Sequence, residues 1–168
     1  MEATSNPQYI IIRRRISALR QLLNNLGLCG YIIPSNDEYL NEYVPPCAKR
    51  LEYITGFSGS NGLVLILNNH ALFFTDGRYL EQSKKELDLT IFQIFDQRNL
   101  ANIDWSIFVQ DFSNSEQSNI IGYDPKLFST KMLNNFTGLS LVPDTNWPNL
   151  IDQLWHDRPL KPSSTIYV

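Results

Sequence analysis

Residues 50–82, RLEYITGFSGSNGLVLILNNHALFFTDGRYLEQ, constrain the fold more than any other stretch. Leu63 to Leu67 is an unbroken apolar run between Gly62 and Asn68. A run that short, with turn formers at both ends, suits a strand buried on both faces better than a helix. Asn68-Asn69 tolerates positive φ and lets the chain reverse, so Ala71 to Thr75 is expected to return as the partner strand. Asp76-Gly77-Arg78 ends that strand, and Tyr79 to Gln82 begins a helix. Two buried strands joined by a tight turn make the centre of a sheet, around which the remaining elements are expected to pack.

Before that centre, Tyr9 to Leu26 reads as a helix, with Ile12, Ile16, Leu19, Leu23 and Leu26 forming one apolar stripe and Gly27 placed as its C-cap. Arg13, Arg14, Arg15 and Arg20 spread over the other faces. They read as a solvated surface, the alternative being an anion or partner contact. Cys29 to Ile33 is expected to be a strand stopped by Pro34. Asp37 to Tyr43 is expected to be a short helix, capped by the preceding Ser-Asn and stopped by Pro45-Pro46. Lys49 to Thr55 suits another helical turn.

After the centre, the helix that begins near Tyr79 is expected to run to about Leu87. Strands are expected over Thr90–Phe95, Asn119–Tyr123 and Leu139–Val142, and helices over Ile103–Phe112, Ser129–Phe136 and Leu150–Trp155. Arg158 to Ser164 carries Pro159 and Pro162 without apolar periodicity and reads as linker. The alternation predicts an α/β fold: a mixed, roughly six-stranded sheet flanked by helices, with the central hairpin supplying an antiparallel pair.

The 168 residues allow one domain with a sizeable core, and 43% hydrophobic against 18% charged residues is the composition of a globular chain. A net charge of −3 gives no basis for a nucleic-acid partner. No apolar run reaches membrane-spanning length, and the opening MEATSNP lacks the basic-then-apolar order of a signal peptide. Cys29 and Cys47 fall in no metal or redox spacing. A cytoplasmic location with both thiols reduced is expected. Asn135-Phe136-Thr137 matches a glycosylation sequon, which matters only on a secretory route.

Catalytic constellations are sparse. A zinc or two-metal hydrolase needs three or more His, Cys, Asp or Glu ligands converging on one point. The chain has two histidines, and no HExxH. His70 falls in the hairpin turn, where it reads as a solvated residue. His156 falls at a helix end, where an imidazole complements the dipole. Ser58 and Ser60 lie in GFSGSNG, which misses the G-x-S-x-G spacing of a nucleophile elbow and precedes a strand rather than a helix. No GK[ST] follows the glycines, so they form no phosphate loop. Arg78 stands out, because a cation at a helix start faces the positive end of the dipole. Either Asp76 or Glu81 compensates it, or it reaches a carboxylate or carbonyl of a ligand or another subunit. Tyr39, Tyr43, Tyr53 and Phe57 would supply an aromatic rim nearby, or part of the core.

The strings IPSNDEYLNEYVPPCAKRLEYITGFSGSNG and ALFFTDGRYLEQSKKEL resemble the N-terminal domain of the Xaa-Pro aminopeptidases (aminopeptidase P) of the creatinase/prolidase superfamily. The tail LIDQLWHDRPLKP resembles the segment that closes this domain in the three-domain members. TGFSGSNG followed by TDGRY is the most specific part. Asn61 departs from the pattern, since the family commonly has a small residue such as alanine there, and this leaves the packing of the turn open.

The resemblance implies a ribonuclease H-like sheet over residues 1–157, with 158–168 beginning a linker. It implies a parent enzyme that removes the N-terminal residue preceding proline, using two divalent metal ions, usually manganese. The ligands (two Asp, one His, two Glu) would sit in a pita-bread domain outside these residues, which would therefore hold neither metal nor catalytic groups. It also implies a homodimer, to which this domain contributes, and a substrate-binding role for Arg78, supported by Asp76 and Tyr79. The substrate would be a peptide with proline second, and no nucleic acid or membrane is implied. Two other readings compete: a free-standing interaction module of the same fold, and a nuclease built on Asp37, Asp76 and Asp124 at strand ends.

Overall fold

The computed structural model describes residues 6–112 and 120–163. Helix α1 (Pro7–Leu26) leads into β1 (Gly30–Pro34), then α2 (Arg50–Thr55), β2 (Leu63–Leu67), β3 (Ala71–Thr75), α3 (Leu80–Glu86) and β4 (Phe92–Asp96). There follow α4 (Trp105–Phe112), β5 (Ile120–Tyr123), α5 (Thr130–Leu133), β6 (Ser140–Pro143) and α6 (Leu150–Leu154). The six strands form one mixed sheet in the order β4-β3-β2-β1-β5-β6. β2 runs antiparallel to both β1 and β3, while the β3–β4, β1–β5 and β5–β6 pairs are parallel.

The expected hairpin, β2 and β3, lies inside this sheet, between β1 and the edge strand β4. All five residues of β1, β2 and β3 are buried, as strands covered by helices on both faces must be. Alternation sorts their side chains into two cores. Tyr31, Ile33, Val64, Ile66 and Phe73 face one core with Ile12, Ile16, Leu19 and Leu23 of α1, Leu51 and Ile54 of α2, and Leu150 and Ile151 of α6. Ile32, Leu65, Leu72 and Phe74 face the other with Trp105, Val109, Leu127 and Phe136. The register places Val64 opposite both Ile33 and Phe73. A one-residue slip would exchange the two cores.

α1 is built as its pattern predicts. Asn6 caps it by accepting from the Gln8 amide, Pro7 opens it, and Gly27 closes it at φ 67°. Its arginines are not a solvated face, contrary to expectation. Arg13 pairs with buried Asp88 at 2.6 Å, Arg15 donates to the Tyr53 carbonyl at 2.7 Å, and Arg20 donates to the Leu67 carbonyl at 2.9 Å. Long side chains reach past the helix edge to groups that the fold would otherwise leave unpaired. Arg14 alone of the four is exposed.

The helix expected over Asp37–Tyr43 is absent. Asp37 accepts from the backbone amides of Tyr39 and Asn41 and from the Asn41 side chain, which closes a turn, and Leu40 sits at φ 58°. Here the local carboxylate outcompetes helical hydrogen bonding. The Ser129–Phe136 helix is α5 followed by a 3₁₀ turn over Asn134–Phe136. The strand expected from Thr90 begins at Phe92, because Asp88 holds residues 88–91 in a turn through the Thr90 amide. His70 is half-buried rather than solvated, and His156 lies beyond the end of α6. Arg158, where linker composition begins, packs back onto the domain by donating to the Cys47 carbonyl and pairing with Asp152 at 2.7 Å. No helix among the described residues is long and apolar enough to cross a membrane.

Candidate functional site

A cavity of about 490 Å³ lies between the α2–β2 loop, the start of α3 and the segment from Glu42 to Glu52. Two consequences of sequence shape it. Gly56 ends α2 at φ 82°, turning the chain into the Phe57–Gly62 loop. At Gly59 a Cβ would lie 2.4 Å from the Phe57 ring, so only glycine allows the loop to fold over that ring. Phe57 is buried against Phe73 and meets Tyr79 edge-on at 6.0 Å.

Polar bonds tie the loop to α3. Glu86 accepts from the Ser58 amide at 2.8 Å and from the Ser58 hydroxyl at 2.9 Å. Gln82 donates to the Ser58 hydroxyl and to Glu86. The hydroxyls of Ser60 and Tyr79 are 2.8 Å apart. The Ser58 hydroxyl is thus engaged with the Glu86 carboxylate, and the Ser60 hydroxyl with that of Tyr79. Neither His70 nor His156 lines the cavity. The cavity has room for a small guest.

Arg78 lines the same cavity, just before α3. Asp76, not Glu81, compensates it: Glu81 pairs instead with Lys84. Asp76 accepts the Arg78 backbone amide at 2.9 Å and its Nη2 at 2.7 Å, and both carboxylate oxygens lie 3.2 Å from Nε. The Arg78 guanidinium beside it holds the Asp76 carboxyl down to about 2, helped by a bond from Asn61. Asp76 in turn raises the Arg78 pKa. The guanidinium lies 5.3 Å from the Tyr79 ring centroid and its side chain stays 68% exposed. An oriented, exposed guanidinium with Nη1 not taken by Asp76 is suited to a carboxylate or carbonyl.

Of the expected aromatic rim, Tyr43 and Phe57 line the cavity, the first at 84% exposure and the second buried. Tyr39 does not line it. Tyr53 is core elsewhere, stacked on Trp155 at 4.7 Å with Arg15 over its ring. Asp37, Asp76 and Asp124 do not converge as a nuclease would need. Asp37 holds its own turn, Asp76 holds Arg78, and Asp124 accepts from Asn149 and from the Lys126 amide. Among the described residues no group of three or more His, Cys, Asp and Glu could hold a metal ion, so this part of the chain does not fit the dinuclear centre that the resemblance implies elsewhere.

Two features went unnoticed in the sequence. Asn61 bonds Asp76 at 2.7 Å. Asp96 and Arg98, at the end of β4, repeat the fork of Asp76 and Arg78 at the end of neighbouring β3, with the same pattern of backbone and guanidinium bonds. The recurrence of D-x-R in TDGR and FDQR was the available signal.

A six-stranded mixed sheet with this cavity beside its central hairpin defines the class. Solved structures share the fold: that of Xaa-Pro aminopeptidase from Streptococcus thermophilus (TM-score 0.56, 23% identity, 85% of this chain and 97% of that one) and that of the N-terminal domain of the cytoplasmic peptidase PepQ from Mycobacterium tuberculosis (TM-score 0.57, 21% identity, 84% and 98%).

The profile of the creatinase/prolidase N-terminal domain matches residues 15–153, and the chain belongs to that family. A probable Xaa-Pro aminopeptidase P from Aspergillus clavatus is 33% identical over 162 residues, covering 92% of this chain and 24% of that protein. The X-prolyl aminopeptidase of Caenorhabditis elegans, described as a cytosolic enzyme with a di-nuclear active site, superposes with a TM-score of 0.71 at 29% identity, covering 89% of this chain and 26% of that one. The chain is thus homologous to the N-terminal region of these enzymes and spans about a quarter of their length.

Proposed function

We propose that this chain is the non-catalytic N-terminal domain of a metal-dependent Xaa-Pro aminopeptidase. The parent removes the residue preceding proline from a peptide's N-terminus. Arg78 lines its substrate cleft and holds or orients the peptide, with Asp76 fixing the guanidinium and Tyr79 flanking it. Bond cleavage belongs to two divalent ions, manganese in the family, held by a different part of the parent. The domain spans 1–157 and the linker starts at 158. The parent is a cytoplasmic homodimer to whose assembly this domain contributes.

The observation that carries this reading is the match to about a quarter of each aminopeptidase, combined with a cavity lined by a fixed, exposed arginine. The decisive experiment joins this chain to the remainder of the C. elegans enzyme in place of the matching segment. Cleavage of an Xaa-Pro peptide by the chimaera, reduced by Arg78→Ala, supports the proposal. Manganese-dependent cleavage by the 168-residue chain alone overturns it.

A further inference from the structure

The loop before β2 and the end of β3 are joined twice through Asn61. Its main-chain oxygen accepts from the Thr75 hydroxyl at 2.6 Å, and its side-chain amide donates to Asp76 Oδ2 at 2.7 Å. Asp76 Oδ2 is also the oxygen that takes Arg78 Nη2 at 2.7 Å. One carboxylate oxygen is thus held between an amide from the loop and a guanidinium from the helix start. Without the amide, the Asp76 side chain would be fixed only by Arg78 and the Arg78 backbone, and the two could turn together about their side-chain torsions.

We propose that Asn61 is a positioning residue: it clamps Asp76 so that the Arg78 guanidinium points from one fixed direction into the cavity. The inference rests on the substrate-binding role proposed for Arg78. The chemistry is simple. An amide N–H donating to an ionised carboxylate is a charge-assisted bond, stronger and more directional than a neutral one. It removes rotamer freedom that substrate binding would otherwise have to freeze. A small residue at position 61 could not reach Asp76, so the side-chain length of Asn61 is what makes the contact. The Asn61 contribution to the lowered Asp76 titration is consistent with the same contact.

Asn61→Ala isolates the side-chain bond, because the Thr75 bond goes to main-chain oxygen and survives the substitution. Asn61→Asp keeps the size while replacing the donor by an acceptor. Two readouts apply. In the 168-residue chain, NMR titration of the Asp76 carboxyl is expected to move up from about 2 in both variants, and the Arg78 Nε–H resonance to shift. In the chimaera, Asn61→Ala is expected to raise KM about threefold with kcat unchanged, and to add nothing when Arg78 is already Ala. An unchanged Asp76 titration and Arg78 resonance would overturn the clamp. An equal KM effect with and without Arg78 would overturn positioning through Arg78. If Arg78→Ala itself leaves kinetics unchanged, the substrate role falls, and the inference falls with it, even where the NMR shifts appear.

Discussion

Asp76 grips Arg78 through its backbone amide, Nε and Nη2, yet the guanidinium remains mostly in solvent. Structural arginines in this fold look different. Arg50, for example, is 7% exposed and spends Nε and Nη2 on Asp152. The contrast separates an arginine that holds the domain together from one that is held by it.

Arg78→Ala should therefore leave the thermal midpoint of the 168-residue chain unchanged within error, because an exposed side chain paired at i, i−2 carries little folding free energy. Differential scanning calorimetry tests this. A clear drop in the midpoint would mean that Arg78 is a structural pair, and the binding role would lose its main support.

Asp152 is the opposite case. It receives both Arg50 and Arg158, tying α2 and the segment after α6 to one carboxylate. Asp152→Ala should cost about 3 kcal/mol in urea denaturation, since it strands the buried Arg50 charge. Arg158→Ala should cost about 1 kcal/mol, since Asp152 keeps its other partner. Equal costs would refute the view that Arg50 is the side of the network that matters.

Burial and the neighbouring carboxylates Asp124 and Asp152 push the Asp144 carboxyl up to about 6, against opposing contributions from the Tyr31 hydroxyl and Lys126. A folded-state value above the unfolded one means that the native state binds the proton more tightly. Stability should be fully present at low pH, and lost as pH rises through about 6. The loss is on the order of 3 kcal/mol. Asp144→Asn, whose amide oxygen can still accept from Tyr31, should flatten the stability profile between about pH 4 and pH 6, the window set by the ordinary value of 3.8 and the folded value of about 6. Identical slopes for wild type and variant would contradict this.

The sequence carried all six strands to within two residues, but not their order. Leu63–Leu67 between Gly62 and Asn68 leaves few alternatives to a buried strand, and Asn68-Asn69 leaves few alternatives to a hairpin. That β1 lies between β2 and β5 was not legible, since strand order is decided by long-range pairing that no local pattern encodes. The Asp37–Tyr43 segment has helix-like composition, yet one carboxylate diverted its amides into a turn. The arginines of α1 looked solvated because their acceptors (Asp88, the Tyr53 carbonyl, the Leu67 carbonyl) are far away in sequence. At the site, the pairing of Arg78 with Asp76 was available from two-residue spacing. The reach of Asn61 across to Asp76 was not, because it depends on where the loop lies over the end of β3.

Steady-state kinetics of the chimaera on an Xaa-Pro peptide, with and without Arg78→Ala, address the division of labour between this domain and a metal centre elsewhere. The account predicts turnover that depends on the added catalytic portion, and a kcat/KM lowered about tenfold by Arg78→Ala. A chimaera indifferent to the loss of Arg78, or turnover by the 168-residue chain alone, would contradict it.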